Sequence, residues 1–292
     1  MLRDDHTITF VELFNAVYPS IVALGSLAVR RDPISNELPP VPDILGTAFV
    51  VDPRGIAVTA GHVGRTLQAL PVNPQTGRKA DVAIIFRRPE RRDGGWEMWA
   101  PRLPIRSYSI LTDFTVRQGP FYGEKLPDFC LIQLGVQGLP PLSFNAAPNT
   151  LCTGAPVAFV GFPRGSDALR LNLDDAPPIL LQMMPFLRHG VISSVNPFPC
   201  PNPNGFTVDA ASHGGASGSP IFTVADPRVI GMLYAAWPGS GPAYALPAVL
   251  LEPGVGNALS NGTLNMAGIP TIEEWERIDT STMLGLWELP DP

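Results

Sequence analysis

The 292-residue sequence carries a formal net charge of −6, with 45% hydrophobic and only 16% charged residues, which supplies a substantial core and excludes a globally disordered chain. The acidic balance leaves no basic face of the kind nucleic acid requires, because the Arg-rich patches at Arg30–Arg31 and Arg87–Arg92 are short and broken by acids or prolines. The 34 prolines and 28 glycines disfavour long helices, so many short strands joined by turns are expected.

In chain order, Thr9-Phe-Val-Glu12 reads as a capping box opening a short helix through Leu13 and Val17, which Pro19 ends. A strand is expected over Ile21–Val29, then a polar, proline-rich turn from Arg31 to Pro42. Gly46–Val51 and Gly55–Thr59, separated by Asp52-Pro53-Arg54, form a hairpin signal. Further strands are expected at Asp81–Phe86, Ile105–Ile110, Phe129–Leu134, Pro156–Val160, His189–Val195, Gly205–Ala210, Pro220–Val224, Val229–Tyr234 and Ala243–Leu246. Between them, Arg87–Pro127 reads as an elaborated hairpin insertion and Arg164–Pro185 as a surface loop. A second capping box, Thr271-Ile-Glu-Glu274, starts a short helix around Trp275.

Cys130, Cys152 and Cys200 are odd in number, far apart and without a C-x-x-C spacing, so neither a disulfide framework nor a metal site is expected. Cys130 lies in an apolar run and reads as a small buried hydrophobe. No cofactor is expected. The first residues are charged and lead into no apolar signal segment, and no run approaches a membrane span. A cytoplasmic location, with no membrane partner, is the corresponding expectation; the oligomeric state is left open.

Three features carry chemistry. His213-Gly-Gly-Ala-Ser217-Gly-Ser-Pro220 is a glycine-rich loop between two strand-like runs; it exposes a serine hydroxyl and lets the N–H groups of Gly215 and Ser217 converge as an oxyanion hole. Against this stands an ordinary glycine-rich turn. Val58-Thr-Ala-Gly-His62-Val puts a histidine at the end of an apolar strand, where a neutral imidazole is able to take the serine's proton. Most such histidines are merely half-buried and hydrogen-bonded. Asp128 and Asp81 each open an apolar strand, and either suits an acid that orients the imidazole.

Together these pieces resemble the chymotrypsin/trypsin family, most closely its HtrA-like and glutamyl-endopeptidase branches. The similarity spans about Val17 to Leu250: Val17-Tyr-Pro-Ser-Ile-Val22, Gly46-Thr-Ala-Phe-Val, the run into His62, Asp128-Phe-Cys-Leu-Ile, Gly154–Pro163, Gly190-Val-Ile-Ser193 and Asp209–Pro220. The resemblance implies two six-stranded antiparallel β-barrels, an all-β fold with short N- and C-terminal helices and a triad in the cleft. It favours Asp128 over Asp81, making His62, Asp128 and Ser217 the catalytic set and the chain a serine endopeptidase acting on polypeptides. The expected organisation is an extension and first barrel over 1–140, a second barrel over 141–250 and a tail over 251–292.

Departures from the family shape the expectation further. Ala216 stands where an Asp or Asn usually precedes the serine, which removes activation by a freed N-terminus. Nothing after Leu250 is long enough for a PDZ domain. By the same resemblance Ala211 is the base of the S1 pocket, with Tyr234, Ala235 and Ala236 as its wall opposite Tyr244. With no acid at the base, a small or medium apolar P1 residue is expected. Leu233 stands where a glutamyl pocket needs a histidine, leaving His189 and His213 as the alternatives.

Two rival readings are a catalytically silent version of the same fold used for protein binding, and an α/β-hydrolase. The latter needs Gly-x-Ser-x-Gly with its histidine last in the chain. Ser219 breaks that pattern and no histidine follows Ser217.

Overall fold

The computed structural model describes residues 8–26, 43–72, 79–85, 90–92, 95–97, 100–110, 116–117, 124–125, 128–162, 185–196, 203–236, 241–260 and 268–278. Thr9 caps helix α1 (Phe10–Val17): its hydroxyl accepts the Glu12 N–H while the Glu12 carboxylate accepts the Thr9 N–H, so two orphan donors of the first turn are satisfied reciprocally. Leu13 and Val17 are buried along one face. Pro19 falls in the tight turn Tyr18–Ser20 that follows and the chain continues as a strand.

That strand, β1 (Ile21–Ser26), belongs with β2 (Asp43–Asp52), β3 (Ile56–Ala60), β4 (Asp81–Ile85), β7 (Arg102–Leu103), β8 (Ile105–Ile110) and β11 (Phe129–Leu134) to one curled sheet. Its order is β7-β4-β1-β2-β3-β11-β8. β5 (Glu90–Arg92) and β6 (Gly95–Glu97) form a separate hairpin, and β9 (Val116–Arg117) pairs with β10 (Glu124–Lys125). The stretch read as an insertion therefore supplies two strands of the sheet, β8 at the expected Ile105–Ile110 and, in addition, β7. β1, β3 and β11 are buried along their whole length, which is why they read as continuous apolar runs rather than alternating ones.

A closed six-stranded first barrel was the expectation; the structure has a seven-stranded half-barrel. Its edges, β7 and β8, are consecutive in the chain with Pro104 between them. β7 is only two residues long, and Pro104 has no N–H to extend a ladder. Its carbonyl accepts instead from Gly135 at 2.7 Å.

The second barrel does close, through β12 (Pro156–Gly161), β13 (Phe186–Asn196), β14 (Gly205–Asp209), β17 (Ala243–Pro247), β16 (Asp226–Ala236) and β15 (Pro220–Thr223). β12 shows how the halves adhere. With side chains alternating between faces, Val157 and Phe159 fill the barrel, whereas Ala158 and Val160 join the cluster centred on the first half.

Two helices were not legible. α2 (Gly61–Gln68) begins as soon as β3 ends, and α3 (Ala248–Ser260) runs across the boundary expected at 250/251. Both carry internal helix-weakening residues, Gly64 in α2 and Pro253 in α3. Packing overrides propensity: Val63 and Leu67, like Leu251 and Val255, are buried in the core cluster. α4 (Ile272–Ile278) opens on the second capping box and returns to the first half, where Trp275 Nε1 donates to the Arg102 carbonyl at 3.1 Å. Among the described residues no helix is long and apolar enough to cross a membrane. The turn expected from Arg31 to Pro42, almost all of the loop expected from Arg164 to Pro185, and Cys200 lie outside the described residues.

Candidate active site

His62 sits in the first turn of α2, where helix N–H groups have no intrahelical partner. Ala60, at the cap position, has no side chain able to accept them. Asp128, arriving at the start of β11, does so from outside: its Oδ1 accepts the His62 backbone N–H at 2.8 Å. Its Oδ2 lies 2.5 Å from the imidazole Nδ1 of the same residue. One carboxylate thus fixes both the backbone and the ring of His62, leaving Nε2 as the ring nitrogen turned away from it.

Arg65, one turn along α2, donates to Asp128 Oδ1 at 2.8 Å. Burial would push the Asp128 carboxyl up, but the hydrogen bond from His62, the charge of His62 and the Arg65 guanidinium outweigh it and hold the group below its ordinary range. Asp81, the other candidate acid, is engaged elsewhere. Its carboxylate accepts the Tyr108 hydroxyl, over whose ring Lys79 Nζ sits 5.1 Å from the centroid.

The Ser217 loop is two successive reverse turns. Ala216 N–H donates to the His213 carbonyl at 3.1 Å and Ser219 N–H to the Ala216 carbonyl at 3.0 Å. Gly215 and Gly218 occupy the third position of each turn with φ of 90° and 91°; that geometry is a type II turn, which only glycine adopts there without strain. Neither turn's own hydrogen bond consumes the N–H of Gly215 or of Ser217. The carbonyls of these two residues are both held by Thr47 of β2, Gly215 O by the Thr47 hydroxyl and Ser217 O by the Thr47 N–H, each at 2.8 Å.

β2 also passes closely between the residue after His62 and the Ser217 backbone. A β-carbon on Gly46 would lie 2.6 Å from Cγ1 of Val63, the neighbour of His62, and 3.2 Å from the Ser217 carbonyl oxygen. Among the described residues no hydrogen bond joins the Ser217 hydroxyl to His62; in unliganded sites that contact is commonly long and tightens on substrate.

Of the residues expected to form the pocket, Ala211 is exposed in the segment after β14, while Tyr234, Ala235 and Ala236 end β16 beside Tyr244 of β17, with Ala235 paired to Tyr244. The Tyr234 and Tyr244 rings lie 6.5 Å apart. His189 is stacked against Phe10 of α1, with ring centroids 5.0 Å apart. Arg65 and Thr47 escaped the sequence reading. Thr47 lay within a motif read only as strand, and Arg65 becomes visible as a neighbour of His62 only once α2 is recognised, because residues three apart share a helix face. No group of metal-ligating side chains gathers among the described residues.

A hydroxyl on a loop whose turn bonds spare the N–H groups of Gly215 and Ser217, together with an imidazole held by a carboxylate, supplies the components of acyl transfer. The family profile for the trypsin-like peptidase domain matches residues 46–232, well over half of the chain. No curated protein matches it. Among solved structures, the HtrA-type protease AlgW with a decapeptide superposes with a TM-score of 0.51 at 16% identity, over 87% of this chain and 69% of that one. A serine endoprotease from Yersinia pestis gives 0.50 at 17% over 87% and 68%. Rv3671c from M. tuberculosis H37Rv, in an inactive form, gives 0.50 at 16% over 87% and 93%. At such identities the likeness is one of fold, a double barrel of the chymotrypsin kind.

Proposed function

The chain belongs to the trypsin-like peptidase family, and from that premise we propose that it is a serine endopeptidase using Ser217, His62 and Asp128. The observation that carries this reading is the double hold of Asp128 on His62, through backbone N–H and ring Nδ1. That hold leaves Nε2 as the proton acceptor. Ser217 Oγ attacks the substrate carbonyl carbon and its proton passes to His62 Nε2. The negative oxygen that forms is stabilised by the N–H groups of Gly215 and Ser217. Collapse breaks the C–N bond, the departing amine takes the proton from His62, and the acyl group stays on Ser217 as an ester. Water, deprotonated by His62, then releases the acid and restores the hydroxyl.

The substrate is a polypeptide. With Ala211 as the base of the S1 pocket and Tyr234, Ala235 and Ala236 as its wall, the preferred P1 residue is small or medium and apolar, because alanine at that base offers no carboxylate to Lys or Arg.

A fluorophosphonate probe tests the reading directly. It should add its phosphonyl group to Ser217 of the folded wild type and not to Ser217→Ala, with peptide cleavage lost in the same variant. Failure to label folded protein would favour a protein-binding module without catalysis.

A further inference from the structure

We propose that Arg65 is a positioning residue for the His62–Asp128 pair: it fixes the Asp128 carboxylate by one oxygen and draws off part of its charge, thereby setting how firmly that carboxylate holds the His62 ring. The inference concerns the pair itself and rests on the preceding reading only for its consequence in catalysis.

The geometry divides the carboxylate. Oδ2 is given to the imidazole, while Oδ1 accepts the His62 N–H and the Arg65 guanidinium at 2.8 Å each. Rotation of the carboxylate about its own axis would break all three contacts together. Arg65 therefore opposes the one motion that would release the ring. The acid is largely enclosed, its side chain 17% exposed, whereas the Arg65 side chain is 56% exposed. The cation is accordingly replaceable without opening the core.

Other groups around the pair do not duplicate this charge. The elements packed on α2 are β2, β3, β8 and β11. β11 brings Cys130, whose thiol burial pushes up to about 12. β8 brings Tyr108, raised by burial and by its bond to Asp81, and Arg106, which donates to the Gly268 carbonyl at 3.4 Å. β2 carries Asp43, opposite Ser26, and Asp52, paired with Arg54; β3 carries none. From the second barrel, Tyr234 is raised by burial and by its neighbours Tyr244 and Asp128, and His213 lies in the Ser217 loop. Among the described residues Arg65 is the cation bonded to Asp128, apart from the imidazole itself.

A positive charge on Asp128 competes with a positive imidazolium for the same carboxylate. Arg65→Met should then shift the low-field Nδ1–H proton resonance of His62 further downfield. Arg65→Lys should stay close to wild type. Added salt should move wild type toward Arg65→Met and leave the variant still. An Arg65→Met spectrum identical to wild type would overturn the proposal. Fluorophosphonate labelling separates it from the peptidase reading. An unlabelled wild type whose His62 resonance still responds to Arg65→Met keeps the positioning role and removes the catalytic one.

Discussion

Thr47, in the middle of the first half's second strand, donates its hydroxyl to the carbonyl of Gly215 in the second barrel at 2.8 Å. The residue is fully buried, its own N–H holds the Ser217 carbonyl, and the Phe162 N–H donates to its hydroxyl at 3.0 Å. One residue of one half thus holds two carbonyls of the nucleophile loop in the other, Gly215 through its hydroxyl and Ser217 through its backbone N–H. Thr47→Val keeps the shape but leaves the Gly215 carbonyl without this donor, a loss of about 1–3 kcal/mol for a buried group. Labelling of Ser217 by a fluorophosphonate should slow about tenfold to a hundredfold, and Thr47→Ser should restore it. Equal labelling rates for Thr47→Val and wild type would show that the loop holds its shape unaided.

The two candidate acids are separable by substitution. Asp128→Asn should lower kcat/KM by roughly three to four orders of magnitude, because the amide no longer fixes the tautomer of His62. Asp81→Asn should leave kcat/KM near wild type and cost about 1 kcal/mol of stability through its bond to Tyr108. A thermal melt and a peptide assay on both variants check the pair. The reverse pattern would exchange their roles.

Acid should weaken the fold through three carboxylates. Asp128, Asp52 and Asp226 are each held below the ordinary range: His62 and Arg65 outweigh burial at Asp128, the hydrogen bond from Arg54 lowers Asp52, and Arg228 outweighs burial at Asp226. A depressed folded-state value means the unfolded chain binds protons first. The stabilisation is complete above the unfolded Asp value of about 3.9 and is lost as pH falls through the lower folded values. Urea midpoints should therefore stay level from neutral pH down to about 5 and fall below about 4. In Asp128→Asn the fall should be shallower, and an unchanged slope would mean that the other two carboxylates carry it.

Pocket chemistry is testable by installing the missing charge. Wild type should cut a peptide panel after small or medium apolar residues, and Ala211→Asp should gain cleavage after Arg and Lys. A wild type that already prefers basic or glutamyl P1 residues would place the base of the pocket elsewhere.

Local sequence carried much of this. Alternation and continuous apolar runs located the large strands of both halves, because burial on one or both faces writes directly into side-chain type. The two capping boxes marked α1 and α4, since the reciprocal bonds span only three residues. Ser217 was singled out by its glycine-rich loop, His62 by its place at the end of an apolar strand, and Asp128 by its place before one. The choice of Asp128 over Asp81 rested on resemblance, and the contacts of the two carboxylates became visible only in three dimensions.

What the sequence alone determined is the strand pattern and the chemistry-bearing side chains, because both are properties of neighbouring residues. The tertiary structure alone decided how the halves close and who holds whom. The first sheet stays open at Pro104, α2 and α3 form despite Gly64 and Pro253, Arg65 reaches Asp128 and Thr47 reaches Gly215. The last two depend on contacts between residues 63 and 168 positions apart, and the helices on packing strong enough to override local propensity. No short stretch of sequence contains both partners of such a contact.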